Sequence, residues 1–376
     1  MNYGFFRKRE GKVFNHLVID LGSPSNISYF WNLGSLLGLV LLIQLLSGIF
    51  LTFHYAANVD VAFDRVVHIM RDVNRGWFVR YSHINGASLF FVLVYLHIGR
   101  GIYYFSFKKR MVWVTGISIL LVLMMVAFMG YILPWGQISF WGATVITNLI
   151  SSVPIWGEVV VFWIWGGFSV GNATLNRFFS FHFLFPFLIL VLAMAHLAFL
   201  HSRGSSNPLG VGGSYDKVFF YPYFVVKDLL GFLLFLSFIG TVVCFYPLFL
   251  VDSENFIMAN SLITPVHIQP EWYYLFSYAI LRSIPNKLGG VVALLLSIIV
   301  LGVFLFCVSK FNRLKFYPIL ELMFFVFVAN IFLLMWIGAN QVEFPFYALG
   351  QVGTFVFFMF FFIHHFFVKL WDRLVV

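Results

Sequence analysis

Apolar residues fall into eight long stretches separated by polar connections. Crossing a hydrocarbon core takes about 20 apolar residues in a helix, and each stretch reaches that length. The predicted spans are Trp31–Phe53, Ile84–Phe105, Val112–Leu133, Phe178–Leu200, Leu229–Leu250, Leu288–Val308, Pro318–Ile337 and Tyr347–Val368. Gly86, Gly99 and Gly101 interrupt the second, and Pro186 the fourth. Such breakers are tolerated where neighbouring helices satisfy the freed backbone groups. Two connections, after the third and fifth spans, run to about 40 residues. Loops of that length are usually functional. Both are rich in Trp, Pro and Gly, so they are expected to fold back onto the membrane surface.

Composition agrees with lipid as the solvent. The chain has 376 residues, 61% hydrophobic and only 10% charged, where a soluble domain carries about 25% charged residues. Its mean hydropathy is +0.94. These figures exclude disorder, a collagenous chain and a disulfide-stapled secreted fold. Fifty-one Phe exceed what interfacial belts need and must fill helix interfaces and face lipid. Cys244 and Cys307 lie far apart in apolar segments. They form neither a metal-spaced pair nor a c-type haem attachment site, and read as small buried hydrophobes.

Charge reports orientation. The net charge of +9 is no nucleic-acid signal, because the basic residues lie in the connections. One side collects Arg7, Lys8, Arg9, Lys12, Arg100, Lys108, Lys109, Arg110, Arg203, Lys217, Lys227, Lys310, Arg313, Lys315, Lys369 and Arg373. The other has Arg65, Arg71, Arg75, Arg80, Arg177, Arg282 and Lys287. By the positive-inside rule both termini face the cytoplasm or its organellar equivalent. The amino-terminal segment, with Asp20 and a turn at Ser23-Pro24-Ser25, reads as neither a signal nor a transit peptide.

Ionisable residues inside a membrane are expensive and mark function by default. His83 and His97 lie on the second span, and His182 and His196 on the fourth, 14 residues apart in both cases. That interval makes about 3.9 helical turns and a rise of roughly 21 Å, so each helix shows two imidazoles on nearly one face. The two spans run in the same direction. His83 is then level with His182 near the outer surface, and His97 with His196 near the inner one. Hydrogen-bonded interior histidines are the plain alternative. Facing pairs of neutral imidazoles instead suit two haems with no open coordination position, a form fitted to electron transfer. Gly34 and Gly48 on the first span and Gly116 and Gly130 on the third repeat the interval at the same two depths. Small residues also serve close helix packing, but in register with the histidines they read as haem clearance. Arg80 and Arg100, each three residues outside a histidine, can pair haem propionates or simply snorkel.

The whole chain, from Ser25-Asn26-Ile27-Ser28 to the last span, resembles the cytochrome b of respiratory ubiquinol–cytochrome c oxidoreductase, complex III. The motifs are Gly130-Tyr131-Ile132-Leu133-Pro134-Trp135-Gly136-Gln137, Phe140-Trp141-Gly142-Ala143-Thr144 and Pro270-Glu271-Trp272-Tyr273. The resemblance implies an all-α integral membrane fold of eight helices, the first four forming a dihaem four-helix bundle. Residues 1–210 would form that domain, and 211–376 a second one completing the outer quinol site. It implies that His83 and His182 bind a low-potential haem b, and His97 and His196 a high-potential one. The 14-residue interval in the fourth span looks like the respiratory type, as does the unsplit chain. The outer, quinol-oxidising site would comprise Met125, Phe128, Tyr131, Gly142, Ile146, Pro270, Glu271 and Tyr278. There Glu271 would accept a proton and rotate to release it. The inner, quinone-reducing site would use His201 and Asp228 as proton donors, with Ser35, Ser205, Phe220 and Lys227 around the ring. Tyr274 stands where the family often has Phe, and Ala127 where it often has Thr.

By the same resemblance, ubiquinol gives one electron to an iron–sulfur partner and the other, by way of the outer and inner haems, to quinone at the inner site. The chain has no Cys/His cluster for an iron–sulfur centre and no C-x-x-C-H. A Rieske-type iron–sulfur protein, a c-type cytochrome and further complex III subunits are therefore implied partners, in a homodimeric complex surrounded by lipid. The absence of long terminal extensions suggests an organelle-encoded protein of the mitochondrial inner membrane, both termini on the matrix side. Two other classes compete: a dihaem membrane anchor of another dehydrogenase, and a haem-free transporter. The first does not require the Pro270–Tyr273 motif. The second tends to show inverted repeats, and no half-chain repeat is found here.

Overall fold

In the computed structural model, which describes residues 19–375 apart from residue 214, twelve α-helices carry the fold. Eight are long and apolar enough to cross a membrane. They are α1 (Leu33–Thr52), α3 (Gly76–Tyr103), α4 (Arg110–Ile132), α7 (Asn172–Arg203), α8 (Tyr223–Phe245), α10 (Lys287–Ile299), α11 (Pro318–Gly338) and α12 (Phe346–Leu374). A 3-10 segment, Val300–Phe306, extends α10 to the length of a span. Four shorter helices lie in the connections: α2 (Ala62–Arg71), α5 (Gln137–Asn148), α6 (Gly157–Trp165) and α9 (Leu275–Ser283). The protein is an all-α integral membrane protein with eight spanning helices. Arg7, Lys8, Arg9 and Lys12, which enter the orientation argument, lie outside the described residues.

Four spans differ from their predicted limits by five residues or more: α7 begins at Asn172 rather than Phe178, α12 runs on to Leu374 rather than Val368, and α3 and α8 differ as well. Helix α3 begins at Gly76: its first two turns mix Trp77, Phe78 and Val79 with Arg80, Ser82 and His83, so mean hydropathy falls there while the helix continues. The helix needs glycine there: a Cβ on Gly76 would sit 2.0 Å from the Ile69 carbonyl of α2. Helix α8 stops at Phe245, short of the predicted Leu250, because the residue before Pro247 is steered out of the helical region; Tyr246 has φ −134° and ψ 45°. Pro186, by contrast, is accommodated inside α7.

Helix α1 packs along α3, and α4 along α7. The largest apolar core joins α1, α3 and α4 to the later spans; there Phe91, Phe107, Phe304 and Phe361 are fully buried and Phe327 stacks on Phe360 at 4.1 Å. Many other large apolar side chains, such as Phe50, Leu188 and Phe355, are exposed on the spans, as lipid requires.

One element has no apolar signal in the chain. Strands β1 (Gly22–Pro24) and β2 (Lys217–Phe219) pair antiparallel. They tie the segment before α1 to the connection between α7 and α8.

The two long outer connections interlock. Trp135 holds φ +55°, a conformation rare for a bulky residue. Its carbonyl accepts from Ala259 N at 3.0 Å, and Gln137 N donates to the Ile257 carbonyl at 2.9 Å. The buried Gln137 side chain accepts from Asn260 N at 2.7 Å and donates to the Ile263 carbonyl at 3.0 Å. The Trp141 indole donates to the same Ile263 carbonyl at 3.0 Å. This seam fixes the stretch that leads to Glu271.

Candidate functional site: two facing histidine pairs and an outer cavity

His83 on α3 and His182 on α7 face each other with ring centres 6.2 Å apart. His97 and His196, on the same two helices, do so at 6.3 Å. Two imidazoles on opposite sides of one metal ion, each bonded at about 2.0 Å, bring their ring centres about 6 Å apart. Each separation therefore matches a single metal ion between two rings.

The glycines lie against these rings. A Cβ built on Gly130 would stand 2.3 Å from Cε1 of His182, and one on Gly48 3.1 Å from Cε1 of His83. For Gly116 and His196 the distance is 3.3 Å, and for Gly34 and His97 it is 3.7 Å. At Gly130, Gly48 and Gly116 the clearance is first of all to an imidazole, whereas a Cβ on Gly34 would make only an ordinary contact; the four sort by depth into an outer and an inner set.

Hydrogen bonds decide which ring nitrogen is free. A hydroxyl has one proton to give and two lone pairs. Ser47 Oγ gives its proton to the Ile43 carbonyl at 2.6 Å, so towards His83 Nδ1, at 2.9 Å, it accepts. Thr115 Oγ1 likewise donates to the Met111 carbonyl at 2.8 Å and accepts from His196 Nδ1 at 2.9 Å. His182 Nδ1 donates to the Val126 carbonyl at 2.9 Å. In all three rings the proton sits on Nδ1, and the Nε2 lone pair is left for a metal. His97 differs, because the Arg100 guanidinium donates to its Nδ1 at 3.1 Å. Three of the four rings thus fit iron ligation as they stand, and the fourth fits once Arg100 turns to another acceptor. Two buried donors near the inner pair, Arg100 Nε and the Trp31 indole, have no partner; Arg100 lies 5.3 Å above the Trp31 ring. An acidic ligand group there would satisfy both.

A cavity of about 220 Å³ adjoins the outer pair, lined among others by Gln44, His83, Gly130, Tyr131, His182 and Glu271. The amphipathic helix α2 contributes Val66 and Ile69, and Arg80 lies on its wall and over the Phe256 ring at 5.7 Å. Glu271 immediately precedes a 3-10 turn, Trp272–Tyr274. Burial raises its carboxyl from the usual range to about 7, and Asp252 adds to the rise, against the backbone and the Tyr131 hydroxyl beside it.

Of the residues expected at the outer site, Tyr131 and Glu271 line this cavity, while Met125, Phe128, Gly142, Ile146, Pro270 and Tyr278 do not. Helical phase explains the first two: Leu123, Val126, Ala127, Gly130 and Tyr131 share the cavity-facing side of α4, and Met125 is 47% exposed. Phe128 packs on Phe178 at 6.0 Å. Gly142 and Ile146 are half-buried on α5, and a Cβ on Gly142 would meet nothing within 4 Å. Pro270 is half-buried next to Glu271. Tyr278, on α9, lies under the Arg282 guanidinium at 4.6 Å.

At the inner end Ser35 donates to Asp228 at 2.9 Å, joining α1 to α8. Asn32 donates to the Lys227 carbonyl at 3.1 Å, and Lys227 Nζ to the Ile27 carbonyl at 2.7 Å. His201 Nδ1 is buried without a partner, and no hydrogen bond links it to Asp228. Ser205 and Phe220 are half-buried nearby in sequence, Phe220 with its ring 5.9 Å from Phe224.

Comparison with known proteins agrees with this architecture. Residues 18–204 match the family model for cytochrome b/b6/petB, and residues 258–358 that for cytochrome b(C-terminal)/b6/petD. A chain of a hyperthermophilic respiratory complex III superposes with a TM-score of 0.92 at 31% sequence identity, covering 98% of each chain. The chain belongs to the cytochrome b family.

Proposed function

We propose that this chain is the dihaem b subunit of a quinol–cytochrome c reductase, oxidising ubiquinol at an outer site and reducing quinone at an inner one. The observation that carries this reading is the pair of facing imidazole pairs, one above the other, in a membrane-spanning bundle. Haem b binding comes with the family; the number two rests on His83 with His182 and His97 with His196. Bound there, haem b supplies two one-electron centres that let charge cross the apolar core.

The chain's own residues do the rest. Three histidines already present Nε2 lone pairs, and Arg100 stands ready to exchange His97 for an acidic group. Glu271, in the same cavity as the outer histidines, takes up a proton from bound quinol while Tyr131 helps hold its carboxylate. Met125, Phe128, Gly142, Ile146, Pro270 and Tyr278 complete the quinol site around the cavity, which requires side-chain movement on quinol binding. At the inner end Asp228, oriented by Ser35, and His201, with its free Nδ1, deliver protons to quinone. Lys227, Ser205 and Phe220 frame that site.

The chain divides functionally at residue 210: helices α1 to α7 hold the haems, and residues 211–376 complete the outer site. One electron from each quinol leaves the outer site through a Rieske-type iron–sulfur protein and a c-type cytochrome, within a dimeric complex III, while the other crosses by the two haem sites to quinone at the inner site. The excess of basic connections on one face supports placing both termini on the matrix side of a mitochondrial inner membrane. A complex III from a hyperthermophile is built on the same fold, so the mitochondrial compartment is proposed from the resemblance to the respiratory type.

A reduced-minus-oxidised spectrum of the purified complex tests the reading. Two b-type haems per chain are expected. A preparation active in another reaction but without b-type absorbance overturns it.

A further inference from the structure

Two of the four imidazoles are held by the same dipeptide device. Ser47 stands immediately before Gly48 on α1, and Thr115 immediately before Gly116 on α4. In each dipeptide the glycine clears Cε1 of one ring, while the hydroxyl meets Nδ1 of that same ring at 2.9 Å. The ring is His83 of the outer pair in one case and His196 of the inner pair in the other. Gly34 and Gly130 follow Leu33 and Met129, and their rings bond to Arg100 and to the Val126 carbonyl instead. Each pair therefore has one hydroxyl-held ring.

We infer that Ser47 and Thr115 are positioning residues that set the tautomer and electron density of His83 and His196, and thereby tune the outer and inner haems separately. The inference rests on reading the four histidines as haem ligands. Each hydroxyl spends its proton on its own helix, at the Ile43 and Met111 carbonyls, so it must accept from Nδ1–H. That bond holds Nε2 free and makes the imidazole a stronger donor to iron, which favours the oxidised form. Ser and Thr often bond back to the carbonyl four residues earlier in a helix. That habit explains the first bond of each hydroxyl. It leaves unexplained why the remaining lone pair meets Nδ1 of a facing imidazole at both depths.

The test uses the intact complex, with the midpoint potential of each b-type haem read by absorbance during redox titration. Ser47→Ala is expected to raise the potential of the outer haem alone, and Thr115→Ala that of the inner haem alone. Ser47→Thr and Thr115→Ser keep the hydroxyl and should return each potential towards the wild-type value. Loss of the corresponding haem in an alanine variant, with retention in its hydroxyl-keeping counterpart, supports the same role. Unchanged or lowered potentials with both haems present overturn it. So does a shift or a haem loss that the hydroxyl-keeping variants share. A wild-type complex lacking two b-type haems would instead remove the functional reading, so the two failures are distinguishable.

Discussion

Glu271 owes its chemistry to where it is buried. A base works best when its pKa lies near the operating pH, and burial beside the outer histidines brings this carboxyl to about 7. Below that pH it is protonated and cannot accept from quinol; above it the carboxylate can. Quinol oxidation is therefore expected to rise with pH through about 7 and fall on the acid side. Glu271→Gln should remove that acid limb and lower turnover by about tenfold or more with both haems retained. Steady-state turnover against pH checks this, and a wild-type profile in the variant would take Glu271 out of the proton path. The Pro270–Tyr273 motif makes Glu271 visible in the sequence, but the shift itself comes from burial that no local pattern encodes. Ser47 and Thr115 are hidden for a different reason. Hydroxyls in apolar helices commonly satisfy their own backbone, so nothing about either residue alone points at a histidine. Only their places immediately before Gly48 and Gly116 carry the signal.

At the scale of elements, long apolar stretches betray spans because lipid leaves the backbone few other choices. All eight spans are legible for that reason, and their ends less so. The first two turns of α3, where Arg80, Ser82 and His83 interrupt apolar residues, extend a helix that hydropathy alone begins at Ile84, and Pro247 ends α8 inside an apolar run. The outer connections were legible as folded but not as joined, since the seam from Trp135 to Ile263 is mostly backbone and amide hydrogen bonding. Gln137 is its most connected side chain, with bonds to Asn260 N and the Ile263 carbonyl. Removing both, at about 1 kcal/mol each, should loosen the segment that carries Glu271. Gln137→Ala is thus expected to raise the quinol KM several-fold while the haem spectrum stays intact. Quinol kinetics unchanged from wild type would mean that the seam does not position the site.

For the whole molecule, topology turns spacing into function. Because α3 and α7 run the same way, equal intervals of 14 residues become two facing pairs at two depths, with ring centres 6.2 and 6.3 Å apart. Had they run oppositely, His83 would have met His196. The glycines on α1 and α4 follow the same depths, and the cavity with Glu271 opens only at the outer pair. Under the proposed function that asymmetry sets the direction of the electron path: quinol would be oxidised where the cavity adjoins the outer histidines, and charge would pass inward. The central claim is that each facing pair holds one haem. Counting b-type haems spectroscopically in His83→Ala and His97→Ala complexes tests it most directly. Each variant should retain one haem and lose the other, the outer in the first and the inner in the second. Retention of both haems in either variant would contradict the account.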